Sequence, residues 1–157
     1  MLIVVPASEN PLEASTEVAA QLPVDKHEEV ILVRDIWFCS IARHHLRPFL
    51  GKVHIAYLPA IEQIIPFSKL AQLVEGFARP PQVQERMTDQ IADALVDGLA
   101  PKGVLVAVEA EHFRMKMSGV NKNSSVTVTS TARGLFRDNR LVGDEVLNLM
   151  LQSRSLR

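Results

Sequence analysis

The chain of 157 residues has a single cysteine, Cys39, and few aromatic residues, which make up 5% of the sequence. One cysteine excludes an intrachain disulfide and leaves the redox compartment unconstrained. The shortage of aromatic side chains argues against a stacking platform for single-stranded nucleic acid. The sequence also lacks an apolar run of the roughly 18 residues that a membrane helix requires.

Neither sign of charge dominates, because the 17 Lys and Arg residues nearly balance the 18 Asp and Glu residues, and the net charge is −1. This balance predicts no strong attraction to nucleic acid or to an anionic membrane surface. Residues 1–6 carry no basic cluster, so they match a secretory signal poorly. We therefore expect a cytoplasmic protein with neither nucleic-acid nor membrane partners.

The chain does contain enough apolar sequence for a packed core. Hydrophobic residues make up 47% of it, with nine Pro and seven Gly, which is typical of an ordered globular protein. The length predicts one domain over residues 1–157. Within this domain we expect an N-terminal extension at 1–25 and a core at 28–151.

Apolar periodicity predicts the order of the helices and strands. The predicted elements are strands at 29–36 and 51–58, helices at 68–79 and 82–99, strands at 104–112 and 124–132, and a helix at 144–151. The first strand reads as buried on both faces, because its apolar residues are nearly continuous. Ser68 is the predicted N-cap of the first helix.

For strands and helices in this order along the chain, an antiparallel four-stranded sheet with two helices on one face buries the apolar sides of both the sheet and the helices. The predicted fold class is therefore α+β. A lone sheet of this size would leave its edge strands exposed. Closing several such sheets into an oligomeric β-barrel removes those edges.

Several motifs of the chain resemble those of GTP cyclohydrolase I over about residues 28–151. They are HHL at 44–46, GKVHIAYLP at 51–59, FSKL at 67–70, QVQER at 82–86, VEAEH at 108–112 and TVTST at 127–131. The resemblance implies the tunnelling fold, or T-fold, in which subunits join their sheets into a barrel. It also implies a homo-oligomer, decameric or otherwise built from pentamers, and a purine- or pterin-like small-molecule ligand.

The two stretches that carry the catalytic zinc in this family are altered here. The family reads Cys-Glu-His-His and His-x-Cys, whereas Ala42 and Arg114 stand at the cysteine positions of this chain. Of the three family ligands only His45 is carried over, and a catalytic zinc normally has three protein ligands. We therefore predict that neither zinc nor another cofactor is bound. A three-histidine zinc site of His44, His45 and His112 is the alternative.

His44 and His112 match family histidines that lie beside the reacting ring and shuttle protons. Imidazole suits this role because its pKa lies near neutrality. Arg114 is the third catalytic candidate, since a guanidinium can stabilise developing negative charge. The competing interpretation is structural: the two histidines are polar residues satisfied in a loop and at a strand end, and Arg114 points to solvent or makes a subunit salt bridge.

Glu85 matches the family glutamate that anchors guanine. A carboxylate can accept two hydrogen bonds from the N–H groups of an amidine edge, which makes a strong and selective contact. Val83 and Gln84 are assigned to the same binding site, and Ser68 and Lys69 match the family's Ser-Lys phosphate motif. Periodicity alone instead favours Glu85 as a surface residue on the polar face of a helix.

The phosphate motif is incomplete, because Gln72 and Ser118 stand where the family has arginines. Each lost arginine removes a charge-assisted phosphate contact, so we expect a ligand with fewer phosphates than GTP, or none. The first hypothesis is a zinc-independent GTP cyclohydrolase I-like enzyme of specialised biosynthesis. It would cyclise or open a purine- or pterin-like heterocycle, or another amidine-bearing one, by acid–base chemistry. The alternatives are an inactive ligand-binding or regulatory paralogue and a true GTP cyclohydrolase with the three-histidine metal site.

Overall fold

The computed structural model describes residues 22–23, 30–60, 63–113 and 125–152. The elements are β1 (Leu22–Pro23), β2 (Ile31–Ile41), β3 (Pro48–Leu58), β4 (Gln63–Ile64), α1 (Phe67–Ala78), α2 (Gln84–Leu99), β5 (Gly103–His112), β6 (Thr127–Gly134), α3 (Leu135–Asp138) and α4 (Arg140–Leu151). Arg114 and most of the predicted extension lie outside the described residues. None of the helices described here is both long and apolar enough to cross a membrane.

The main sheet has the strand order β2-β3-β5-β6, and every neighbouring pair is antiparallel. Alternation along β3 sends successive side chains to opposite faces of the sheet. Val53, Ile55 and Tyr57 belong to one buried cluster, whereas Ala56 belongs to a second cluster on the other face. The short strands β1 and β4 form a separate pair.

Helices α1 and α2 cover the face that contains Val53 and Ile55, and together they make the main core. The fully enclosed helix residues of this core include Leu70, Leu73, Met87, Ile91 and Leu95. Helices α3 and α4 cover part of the opposite face through Phe136, Val146 and Met150. The predicted α+β fold, with two helices on one face of a four-stranded antiparallel sheet, is thus confirmed.

The predicted start of the first helix is wrong. Pro66, with φ −58° and ψ 141°, takes the N-cap position, and its carbonyl accepts from Lys69 N at 3.0 Å and from Leu70 N at 3.3 Å. An N-cap residue has this extended backbone, so the helix begins at Phe67. Ser68 is therefore an exposed residue inside the first turn and caps nothing.

Other predicted bounds also differ from the structure: β3 begins at Pro48 rather than at 51, and β6 covers Thr127–Gly134 rather than 124–132. Strand β2 continues to Ile41, and its residues 31–35 are only half-buried, because β2 is the first strand of the sheet and has a paired neighbour on one side. Helix α4 begins at Arg140, earlier than predicted, because the side chain of Asn139 accepts a hydrogen bond from Val142 N at 3.5 Å and caps the helix.

Candidate functional site

The turn between β2 and β3, residues 42–47, presents the two adjacent histidines and is called the histidine turn here. Ala42 N donates to Arg47 O at 2.8 Å, and Leu46 N donates to Ala42 O at 2.8 Å. Leu46 adopts a left-handed φ of 50°, which lets the chain reverse within the turn. His44 and His45 are exposed on it, with ring centroids 6.5 Å apart.

Main-chain hydrogen bonds join the histidine turn to the start of α2. Gln82 N donates to Ile41 O at 2.8 Å, and Arg43 N donates to Gln82 O at 2.9 Å. These bonds form a parallel bridge between Ala42 and Gln82. Main-chain hydrogen bonds therefore hold the first turn of α2, which carries Glu85, beside the histidine turn.

A cavity of about 270 Å³ opens where the histidine turn, α2 and the ends of β5 and β6 meet. It is lined by Ala42, His45, Arg47, Pro48, Glu85, His112, Phe113 and Thr127. This volume lies near the lower end for small-molecule sites. Two of the lining residues carry a permanent formal charge, the Glu85 carboxylate and the Arg47 guanidinium.

Gln84, the first residue of α2, fixes the orientation of His112. The Gln84 side chain is buried, and its Nε2 donates to Val108 O at 3.1 Å, Thr127 O at 3.0 Å and Thr129 Oγ1 at 3.2 Å, sharing its two hydrogens. Carbonyl oxygens can only accept, so the orientation of the amide is determined. Gln84 Oε1 consequently faces His112 Nε2 at 2.8 Å.

This contact determines the tautomer of His112. The amide oxygen of Gln84 cannot donate, so His112 Nε2 carries the hydrogen and Nδ1 is the acceptor of the neutral ring. Within the described ranges no residue hydrogen-bonds to Nδ1. Burial lowers the pKa of His112 below its ordinary value, and the negative charge of Glu85 partly offsets this effect. The ring also stacks on Phe49, with centroids 4.8 Å apart and planes 1° from parallel.

Some of the sequence-predicted site residues come together and others do not. Glu85, His45 and His112 line one cavity, and Gln84 contacts it through His112. His44 is not among the lining residues. Val83, Ser68 and Lys69 do not line the cavity either: Val83 is the N-cap of α2, and the other two lie in the first turn of α1. Arg114 lies outside the described residues, so its predicted position stays a prediction.

The described side chains around the cavity do not fit the zinc ion that the resemblance implies. Ala42 offers a methyl group where a thiolate would be needed, and only His45 remains of the family ligands in this part of the chain. Over residues 30–60, 63–113 and 125–152, no three His, Cys, Asp or Glu side chains are close enough together to hold a metal. A zinc site needs three or four such donors.

Five lining residues were not among the predicted site residues: Ala42, Arg47, Pro48, Phe113 and Thr127. The signal for Arg47 is its place two residues after His45 and directly before Pro48, where β3 begins. Thr127 enters the site because β6 pairs with β5 in a register that sets it opposite Ala110. That register depends on long-range pairing, which local sequence patterns do not determine.

A second polar cluster lies on the opposite face of the sheet. His54 is fully buried, its Nδ1 accepts from Asp35 N at 3.1 Å, and its Nε2 lies 2.7 Å from Glu109 Oε2. Asp35 has a φ of 62° at the bulge in β2, and its carboxylate is 3.3 Å from Lys52 Nζ. Alternation along β3 places Lys52 and His54 on this same face of the sheet.

Comparison with solved structures supports this fold. The apo structure of an archaeosine synthase, QueF-Like, superposes with a TM-score of 0.53 over 68% of this chain and 96% of that chain. The two sequences are 12% identical, so the likeness concerns the fold alone. Together with the observed sheet, it confirms the predicted T-fold of the single chain.

Comparison with known sequences gives closer matches. The family model for GTP cyclohydrolase I matches residues 6–151. GTP cyclohydrolase 1 of Streptococcus pyogenes serotype M18 is 55% identical over 126 residues, which cover 80% of this chain and 65% of that protein. GTP cyclohydrolase 1 of Streptococcus agalactiae serotype Ia is 48% identical over 143 residues, 91% of this chain and 74% of that protein. The chain thus spans slightly less than two thirds of the S. pyogenes relative, and it belongs to the GTP cyclohydrolase I family.

Proposed function

We propose that the chain is a zinc-independent GTP cyclohydrolase I-like enzyme of a specialised cytoplasmic biosynthesis. Its substrate is a purine- or pterin-like heterocycle, or another small heterocycle with an amidine edge, which it cyclises or opens by acid–base chemistry. The observation that carries this proposal is the single cavity shared by Glu85 and His112. A binding carboxylate and a titratable imidazole there face the same small volume.

Glu85 is suited to binding the amidine edge. It lies in the first turn of α2, and none of the described residues forms an ion pair or hydrogen bond with its carboxylate. Both carboxylate oxygens are therefore free to accept N–H groups from a ligand, a paired contact that is stronger than one between neutral groups.

His112 is suited to accept a proton first. Its lowered pKa favours the neutral ring at pH 7, and Gln84 holds the hydrogen on Nε2, so Nδ1 is the basic atom. A base that removes a proton from the ligand or from water can return it later in the cycle as the acid. No step of this scheme requires a metal ion or another cofactor.

We also propose that copies of the chain pair their sheets edge to edge and close into a homo-oligomeric ring. Strands β2 and β6 end the described sheet, so each leaves one edge available for pairing with another copy. Ser68 and Lys69 lie at the start of α1, away from the cavity. We place these two residues at a site shared with a neighbouring copy, since they do not line the cavity of their own chain.

One observation favours an inactive ligand-binding or regulatory paralogue instead. His44 is exposed on the histidine turn and does not line the cavity with His112, so the two predicted proton carriers are not assembled within one chain. Replacing both histidines by alanine separates the two functions. A binding protein would keep its affinity for a purine or pterin, whereas an enzyme would lose turnover.

The proposal is tested by calorimetric binding of guanosine and of pterin to metal-depleted protein. Glu85→Ala should weaken binding of both about a hundredfold, because a charged two-point contact is lost. Asp97→Ala, which removes the same charge from a distant turn of α2, should leave the affinity unchanged. Equal affinity of the parent and Glu85→Ala would overturn the proposal.

Metal dependence is tested in the same preparation by measuring formate release from GTP. If addition of zinc restores turnover to metal-depleted protein, the chain is a GTP cyclohydrolase with the three-histidine site, and zinc independence is wrong. Turnover of any purine or pterin substrate that is unaffected by chelation supports the zinc-independent enzyme.

A further inference from the structure

Arg47 is the only permanent cation among the described residues that line the cavity. Glu85 supplies a carboxylate to the lining, and His45 and His112 supply imidazole rings, which carry no permanent charge. The remaining lining residues have uncharged side chains. The positive charge of the cavity therefore depends on a residue that none of the family-matching motifs includes.

The backbone of Arg47 is fixed by a hydrogen bond, while its guanidinium has no ion-pair partner in the part of the chain that the structure describes. Arg47 O accepts from Ala42 N at 2.8 Å, which closes the histidine turn. Over residues 30–60, 63–113 and 125–152, no carboxylate or hydrogen-bond acceptor pairs with its guanidinium. Arg79 and Arg133, in contrast, form ion pairs with carboxylates at 2.9–3.2 Å. Arg47 thus brings an unused charge to the cavity.

The cavity has two poles. Glu85 and Arg47 line the same volume of about 270 Å³, yet they do not form an ion pair with each other. An anionic group entering the cavity would be repelled by the Glu85 carboxylate and attracted by Arg47. The amidine edge of the same ligand, which carries N–H donors, would instead be attracted to the Glu85 carboxylate. Ala42, with its small side chain, leaves room beside Arg47.

We propose that Arg47 binds an anionic group of the substrate, a phosphate or a carboxylate, while Glu85 binds the amidine edge. A guanidinium presents paired N–H donors that match either anion. A single guanidinium suits a ligand with one anionic group next to the heterocycle better than it suits a ligand with a triphosphate chain. This inference rests on the proposed function, since it assigns the second contact of the same ligand.

The test compares ligand pairs that differ only by the anion. Guanosine is compared with guanosine 5′-monophosphate, and pterin with pterin-6-carboxylate, by calorimetry on the full chain. Arg47→Leu should weaken binding of the preferred anionic ligand about tenfold and leave its neutral partner unchanged. Arg47→Lys should restore part of the loss, and higher salt should shrink it. Arg43→Leu, an exposed arginine of the same turn outside the cavity lining, is the matched control.

The outcomes separate this inference from the proposed function. If only the nucleotide pair responds to Arg47→Leu, the anion is a phosphate; if only the pterin pair responds, it is a carboxylate. If Glu85→Ala weakens the neutral ligands but Arg47→Leu changes neither pair, the anion contact is wrong and the proposed function stands. If Arg43→Leu has the same effect as Arg47→Leu, the effect is general electrostatics and the inference is also wrong.

Discussion

Two histidines on neighbouring strands show opposite uses of the same side chain. His54 on β3 and His112 on β5 each place Nε2 against one side-chain oxygen, at 2.7 Å from Glu109 and 2.8 Å from Gln84. The Nδ1 atom of His54 is also occupied, because it accepts from Asp35 N at 3.1 Å. The Nδ1 atom of His112 has no partner among the described residues.

A structural histidine and a reactive one differ in how many ring nitrogens the protein occupies. A ring whose two nitrogens are both bonded by the protein supports the fold, and His54 holds Asp35 in its left-handed conformation. A ring that is oriented through one nitrogen and keeps the other for a ligand can take part in chemistry. The distinction depends on the number of protein partners, since His54 is the more deeply buried of the two.

Removing the ring of His54 should change stability more than the other substitutions below. His54→Ala should lower the free energy of unfolding by about 3 kcal/mol, because it leaves a buried cavity and an Asp35 N–H without its acceptor. His112→Ala should lower it by only about 1 kcal/mol, since the ring lies at the cavity wall. Urea denaturation followed by circular dichroism measures both values. A larger loss for His112→Ala would reverse the assignment.

The second prediction concerns the residue that orients His112. Gln84→Leu should cost about 2 kcal/mol of stability, because the carbonyls of Val108 and Thr127 lose a buried donor. It should also release the tautomer of His112 to a mixture, as seen in the ¹⁵N chemical shifts of labelled histidine. Gln84→Glu keeps an acceptor for His112, so the hydrogen should remain on Nε2. An unchanged tautomer in Gln84→Leu would show that the amide does not determine it.

The smallest expected effect is a pH dependence of stability. The pKa of His112 is lowered in the folded chain, so below about pH 6.5 the unfolded chain binds more protons at this site. The free energy of unfolding therefore falls as pH decreases from about 6.5 through the folded pKa. His112→Asn should reduce this slope relative to the parent. Thermal melts between pH 8 and pH 5 measure it, and identical slopes would mean that His112 is not perturbed.

Much of the fold could be predicted because it follows from local pattern. The alternation along β3 and the apolar stripe of α2 determine which faces meet the core. The prediction of Ser68 as N-cap was wrong because Pro66, two residues earlier, already has the extended backbone that an N-cap requires. The role of Gln84 as the anchor of His112 was out of reach, because it depends on a register between β5 and β6 that brings Thr127 beside α2. Motif matching had placed Gln84 in the binding site but could not assign its partners.

The main-chain bridge between the histidine turn and α2 has a consequence for how this family can diversify. Ala42 and Gln82 are joined through backbone atoms, so the walls of the cavity keep their spacing whichever side chains stand on them. Substitutions at positions 42 and 47 can therefore change the chemistry of the cavity wall without removing the hydrogen bonds that hold the wall in place.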